Sequence, residues 1–352
     1  MTRAPDLKHN NFDLLRIAAA LQVVLGHGLV HLQVARPAWW PIVEAFPGVP
    51  IFFAISGFLI SAAYERSSSL QSYAQNRLLR IYPGLWCCIL LTVLVAVGFG
   101  FDMLQPAAAA WLPAQLAGLI YTPQFLKSFG FGSYNGSLWT IPIELQFYVA
   151  LPMLYWLGSS RTLGRNRTLA ICAAAFVAVG LVFALSSSPL AEGQVEPALR
   201  KLFRYSFAPH IYLFLAGVLL QRWQVQRSSW IAGKGLHWLA VYLLFHFALP
   251  YNGYSYIAGT LLMAVATVAL AFTAPSLARR LLRGNDISYG VYIYHGLLIN
   301  VLIELGLRGD AWLVPLLVVL TCVAAYGSWR LVERPCLRRK RQTIHPADAA
   351  RC

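Results

Sequence analysis

The chain has 352 residues, 58% of them hydrophobic and only 12% charged, with a net charge of +15 and six cysteines. That balance lies far from the composition of a soluble globular chain and excludes an ordinary water-soluble enzyme. The positive charge is scattered over short segments and the tail RPCLRRKR, a distribution that fits membrane topology and anionic lipid and not a nucleic-acid stripe.

Windows of about 19 residues predict ten transmembrane helices, at 12–34, 47–64, 82–101, 137–157, 168–187, 208–221, 236–250, 256–274, 287–306 and 312–331. The expected fold is therefore all-α and polytopic, a single membrane domain over 1–352 ending in a basic cytoplasmic tail, 336–352. The first apolar run is too long, and its flanks too polar, for a cleaved signal peptide, so it is read as helix 1. With the N-terminus inside, only Arg36, Lys127, Arg200, Lys201, Arg204 and Arg308 fall in outer loops, and most of the 28 lysines and arginines fall inside. An even number of spans then puts both termini in the cytoplasm. The stretch 103–125 is apolar but interrupted by Pro106, Pro113 and Pro123. A full crossing there would invert every later loop, so it reads as a re-entrant or interfacial segment. The outer segments 102–136 and 188–207 are long enough to carry function, and Trp39, Trp40 and Trp312 read as an interfacial belt. Cys87, Cys88, Cys172 and Cys322 lie in apolar spans and Cys336 and Cys352 on the reducing side, so no disulfide framework is expected. No metal-ligand spacing occurs.

Within helix 1, RIAAALQVVLGH places Arg16 and His27 eleven residues apart. At 100° per residue both fall within about 20° of one face, about 16 Å apart along the axis. An ionisable side chain at membrane depth costs roughly 2.5–3.5 kcal/mol on insertion scales, so each needs a reason to be there. Arg16 can snorkel and meet Asp13 three residues earlier. His27 is read either as a base or as a packed core histidine. One charged end and one reactive end on a single stripe suit an elongated anionic ligand, and coenzyme A thioesters have that shape.

Further along, NRLLRIYP sets Arg77 and Arg80 three apart at the inner entrance of helix 3, which is taken to begin at Tyr82 and Pro83. Two guanidinium forks there suit phosphate oxygens, although topology alone also places arginines at inner helix ends. NGSLWTIPIELQFYVALP holds Glu144, the one carboxylate in the middle of a span, at about the depth of His27, with Asn135, Trp139 and Tyr148 around it. Glu144 is read as a functional acid or as a buried protonated one. Asn135 also opens a formal glycosylation sequon. SYGVYIYH ends in His295 near mid-membrane, a candidate substrate contact or a core residue.

FDLLRIAAALQVVLGH, IFFAISGFLIS, NRLLRIYP, SLWTIPIELQFYVALP and SYGVYIYH, in this order, resemble the bacterial acyltransferase-3 family of integral-membrane O-acyltransferases over about residues 10–335. The resemblance puts the family's Arg-to-His pair on Arg16 and His27, its Arg-x-x-Arg on Arg77 and Arg80, and its helix-4 acid on Glu144. It implies transfer of a short acyl group, acetyl first, from an acyl-coenzyme A donor to a hydroxyl of a cell-envelope or lipid-linked glycan, in the bacterial cytoplasmic membrane and without metal. His27 and Glu144 are then the catalytic pair, and Arg16, Arg77 and Arg80 hold the donor. Beside the resemblance, Asn135, Trp139, Tyr148 and His295 are candidate substrate contacts, with Trp139, Tyr148 or a backbone amide as candidate oxyanion donor and His295 open to the core reading as well. An acyl-His27 intermediate is a variation. Some members carry a fused hydrolase-like domain; here the transfer is expected to finish in the bundle or pass to a separate periplasmic partner. Two alternatives stand beside this reading. One is O-acylation of a small metabolite such as a macrolide. The other is a proton-coupled transporter using His27, Glu144 and His295 as a relay, though paired short or broken spans are missing.

Overall fold

The computed structural model describes residues 9–159, 164–186 and 197–339. Among them there are helices and no strands. In chain order the α-helices are α1 Phe12–His31, α2 Trp40–Glu44, α3 Gly48–Glu65, α4 Leu70–Gly98, α5 Pro106–Leu116, α6 Thr140–Leu157, α7 Arg165–Ser186 and α8 Ala198–Arg204. They continue with α9 Ile211–Arg222, α10 Gly235–Ala248, α11 Gly253–Ala271, α12 Leu277–Leu282, α13 Ser288–Glu304, α14 Leu313–Ser328 and α15 Arg334–Arg338.

Six stretches of these residues are helical, long and apolar enough to cross a membrane: Phe12–His31, Trp40–Glu65, Leu70–Gly98, Arg165–Ser186, Gly253–Ala271 and Leu313–Arg338. The remaining four expected spans coincide with α6, α9, α10 and α13, of 18, 12, 14 and 17 residues. Exposed apolar side chains show where the solvent is not water. On α7, Ile171, Val182 and Leu185 stand 56%, 67% and 47% exposed, and a soluble monomer would not carry such a face.

Two expectations are corrected. Helix α4 begins at Leu70, twelve residues before Tyr82, and Pro83 lies in its interior and not in its first turn. The leading turns are amphipathic, burying Ser72, Tyr73 and Ile81, so a hydropathy window passes over them. Trp40 is not part of an interfacial belt, because it is only 5% exposed and packs on Gly26. Its neighbour Trp39 and the distant Trp312 are both 52% exposed. The 103–125 stretch forms the eleven-residue α5, about 16 Å long and too short to span. The expected terminal tail beyond Arg339, residues 1–8, and 187–196 of the outer segment 188–207 lie outside the described residues.

The chain forms two compact units, each discontinuous in sequence. The first runs up to Arg16 and includes Val49–Leu70 and Ile143–Gly284. Within it, α7, α9, α10 and α11 pack on one another. Asn11 ties the start of α1 to the end of α11: its amide donates to Thr273 O at 2.7 Å and its carbonyl accepts from Ala278 N–H at 2.8 Å. At the other end of α3, Glu65 accepts from Tyr155 Oη at 3.1 Å and Gln221 Nε2 at 3.1 Å and pairs with Arg222. Ser61 joins the same network through Tyr155 at 2.7 Å and Gln221 at 2.5 Å. Its polar atoms thereby satisfy one another, as an apolar surround demands. Midway, α3 and α9 touch backbone to backbone at Gly57, where a Cβ would lie 1.9 Å from Phe214 O.

The second unit comprises Ile17–Gly48, Gln71–Pro142 and the chain from Asn285 onward. Its centre is α13, buried along almost its whole length against α14 and the 3₁₀ turn Gly136–Trp139. The Asn300 amide donates to Ser133 O at 2.8 Å and Tyr134 O at 2.9 Å, and Glu304 accepts from Gly130 N–H at 2.7 Å. The expected outer loop is therefore pinned to α13.

The α3–α9 approach gives a direct test. Gly57→Ala should lower thermal stability in detergent by about 1–3 kcal/mol, the usual cost of overpacking. An unchanged Tm would show that the two helices do not meet there.

Candidate active site

Three imidazoles gather in the second unit. His27 and His31 lie one turn apart on α1, and His295 lies on α13. His27 Nδ1 stands 3.0 Å from His295 Nε2, with ring centroids 5.1 Å apart. His295 is fully buried, and its Nδ1 lies 3.4 Å from Val291 O, one turn back on its own helix. The His31 ring is 5.5 Å from that of His27 and stacks on Phe131 at 3.9 Å with planes 17° apart. The sequence singles out His27 and His295 and groups them only in the relay of the transporter alternative. Sequence reasoning missed His31, although GHGLVH sets two histidines at i and i+4, where helical side chains are neighbours.

The local sequence explains how His295 reaches this position. Next to it, Gly296 lies where a Cβ would be 2.2 Å from Asn135 Oδ1, so α13 seats directly on the Asn135 turn. Asn135 is 2% exposed and its amide is occupied. It donates to Ile293 O at 2.8 Å and accepts from Ser137 N–H at 3.3 Å and Ser137 Oγ at 2.5 Å. Asn135 is thus a buried cap that joins the 3₁₀ turn to α13. Trp139 ends that turn half-buried. Tyr292 accepts from Thr140 Oγ1 at 3.1 Å, and Tyr294 donates to Ser328 Oγ at 2.9 Å; both are packing residues.

Arg77 and Arg80 lie on one continuous stretch of α4. Arg80 Nη2 meets Asp286 Oδ2 at 2.5 Å, with side chains 17% and 10% exposed. Asp286 also accepts from Ser288 N–H at 3.2 Å and Ser288 Oγ at 2.5 Å, at the N-terminus of α13, where helix polarity favours a carboxylate. The second arginine of the pair therefore has a protein carboxylate as a partner, which NRLLRIYP alone does not reveal.

Glu144, Tyr148 and Arg16 belong to the first unit. Tyr148 Oη donates to Glu144 Oε1 at 2.6 Å, one helical turn along α6. Arg16 meets Asp13 at 3.4 Å across one turn of α1. Helix α1 is continuous from Phe12 to His31, so Arg16 and His27 share it. Among the described residues, no group of three or more His, Cys, Asp or Glu side chains is arranged to hold a metal ion.

Taken as chemistry, the second unit offers an imidazole with a buried hydrogen-bonded partner, suited to moving a proton. A family model described as "Acyltransferase domain" matches residues 9–331. Nodulation protein 10 of Rhizobium leguminosarum bv. viciae is 32% identical over 95% of this chain and 95% of its own. The O-acetyl transferase of Shigella phage Sf6 is 26% identical over 94% of this chain and 97% of its own. Peptidoglycan O-acetyltransferase OatA of Listeria monocytogenes is 24% identical over 92% of this chain but only 55% of its own. No solved structure matches significantly. With the family model spanning residues 9–331 and a relative at 32% identity along nearly the full length of both chains, the protein belongs to the acyltransferase-3 family of membrane-bound O-acyltransferases.

Proposed function

We propose that this chain transfers an acetyl group from acetyl-coenzyme A to a hydroxyl of a cell-envelope or exported glycan. It would act as a ten-span protein of the bacterial cytoplasmic membrane with both termini inside, its sequence forming a single membrane acyltransferase domain. The observation that carries this reading is His27, an imidazole at membrane depth paired at 3.0 Å with the buried His295. Support comes from relatives named for O-acetyl transfer, one of them to peptidoglycan. The ten-span topology rests on a helix in every expected segment and on the inside bias of Lys and Arg.

In the reaction, the acceptor O–H gives its proton to His27 while the oxygen bonds to the thioester carbonyl carbon. Collapse of the tetrahedral intermediate breaks the C–S bond. The departing thiolate then takes the proton from His27, leaving the ring as it began. Glu144, oriented by Tyr148, is proposed to bind the acceptor, with Trp139 as a further contact. Arg77 and Arg80 are proposed to hold the donor's phosphates, the Asp286 pair fixing the fork of Arg80. Arg16 is assigned to the donor by its helical phase with His27.

The reading is tested first by composition. Deleting the gene should remove acetyl esters from an envelope glycan. Esters appearing instead on a small extracted metabolite would overturn the choice of acceptor.

Among variants, His27→Ala should lower turnover by about 10²–10⁴-fold with insertion and yield unchanged, and Glu144→Ala should raise the acceptor KM. Native turnover by a correctly inserted His27→Ala protein would refute the base assignment.

The arginines divide by measurement. Arg77→Ala should raise the donor KM by about 10-fold or more, the usual cost of a lost charged hydrogen bond. Arg80→Ala should in addition destabilise the fold by about 3–5 kcal/mol, because Asp286 loses its cation. A donor KM unchanged in both variants would remove them from the donor site.

A further inference from the structure

We infer that His295 is a positioning residue for the reaction, fixing His27 in the tautomer whose Nε2 is the free base. This rests on the assignment of His27 as base and goes beyond it by naming the nitrogen and the residue that selects it.

The tautomer follows from the chain of acceptors. Val291 O can only accept, so the 3.4 Å contact is a hydrogen bond only when His295 Nδ1 carries the hydrogen, the tautomer the site favours. Neutral His295 then presents a lone pair at Nε2. That nitrogen faces His27 Nδ1 at 3.0 Å, and two lone pairs at such a distance would repel. His27 Nδ1 therefore carries the hydrogen and donates it, which leaves Nε2 of a neutral His27 unprotonated. The opposite arrangement, with the hydrogen on His295 Nε2, would give up the Val291 contact in a fully buried site.

The fold keeps this order from reversing. His295 cannot rotate freely, because its helix is buried on nearly every face and Gly296 is locked against Asn135. His31, a second ring on the same face of α1, lies 5.5 Å from the His27 ring and stacks on Phe131. When His27 takes the acceptor's proton at Nε2, both ring nitrogens become donors. The Nδ1–H bond to His295 is then charge-assisted and stronger than before. His295 thus fills the place that a carboxylate holds in a serine-hydrolase triad, as a neutral acceptor and without touching substrate.

The test combines a spectroscopic signature with kinetics on the full-length protein in detergent. Labelled with ¹⁵N-histidine, the wild type should show His27 protonated at Nδ1 and bare at Nε2, the signal being assigned by its loss in His27→Ala. His295→Gln sets an amide oxygen near the place of Nε2, so it should keep that signature and stay within about 10-fold of native kcat. His295→Phe fills the same volume with no acceptor. It should lose the signature and about 10²–10⁴-fold in kcat, with the KM of acetyl-coenzyme A nearly unchanged and a native-like Tm. A wild-type His27 protonated at Nε2, or a folded His295→Phe protein with native kcat, would overturn the inference. If His27→Ala is inactive while His295→Phe is native, only the positioning role fails. If His27→Ala itself is native, the base assignment fails with it.

Discussion

An imidazole in an apolar helix must have a partner, and the second unit is arranged around the one that His27 has. The 3.0 Å contact to His295 joins α1 to α13, and α13 can offer His295 only because its surroundings are fixed. Asn135 caps the turn on which it sits, and Asn300 and Glu304 bind the loop beside it. Asp286 and Arg80 anchor its first turn to α4. Each of these polar residues closes a hydrogen bond that lipid could not supply.

The first unit obeys the same constraint with different residues. Glu65, placed at the end of an apolar helix, is met by Tyr155, Gln221 and Arg222. Asn11 satisfies backbone groups at the end of α11 and the start of α12. The apolar glycine motif IFFAISGFLIS acquires a physical reason there, since Gly57 and Gly217 let α3 and α9 touch backbone to backbone. A membrane enzyme gains little from sequestering apolar surface between helices, so close packing and satisfied polar atoms carry the specificity.

How much was legible follows from the range of each interaction. The helices could be read because hydropathy accumulates over twenty residues, and α5 was separated from the spans because its prolines are visible in sequence. The start of α4 escaped because residues 70–81 are amphipathic, and Trp40 escaped because burial depends on a partner, Gly26, fourteen residues away. At the site, residue types were legible but pairings were not. His27 was flagged by the cost of its depth. Its partner lies 268 positions distant, beyond any local pattern. The capping role of Asn135 could not be read locally, because its bond to Ile293 O crosses 158 positions.

The proposed transfer would carry an acetyl group from a thioester on the cytoplasmic side to a hydroxyl that arrives from the other face. Purified protein in sealed, oriented vesicles allows it to be measured, with labelled acetyl-coenzyme A enclosed on the cytoplasmic side and envelope glycan supplied on the opposite side. Label should appear as an ester on the external glycan, at a rate set by the enclosed donor. Label that stays in the vesicles, or transfer that requires donor on the same side as the glycan, would contradict the proposal.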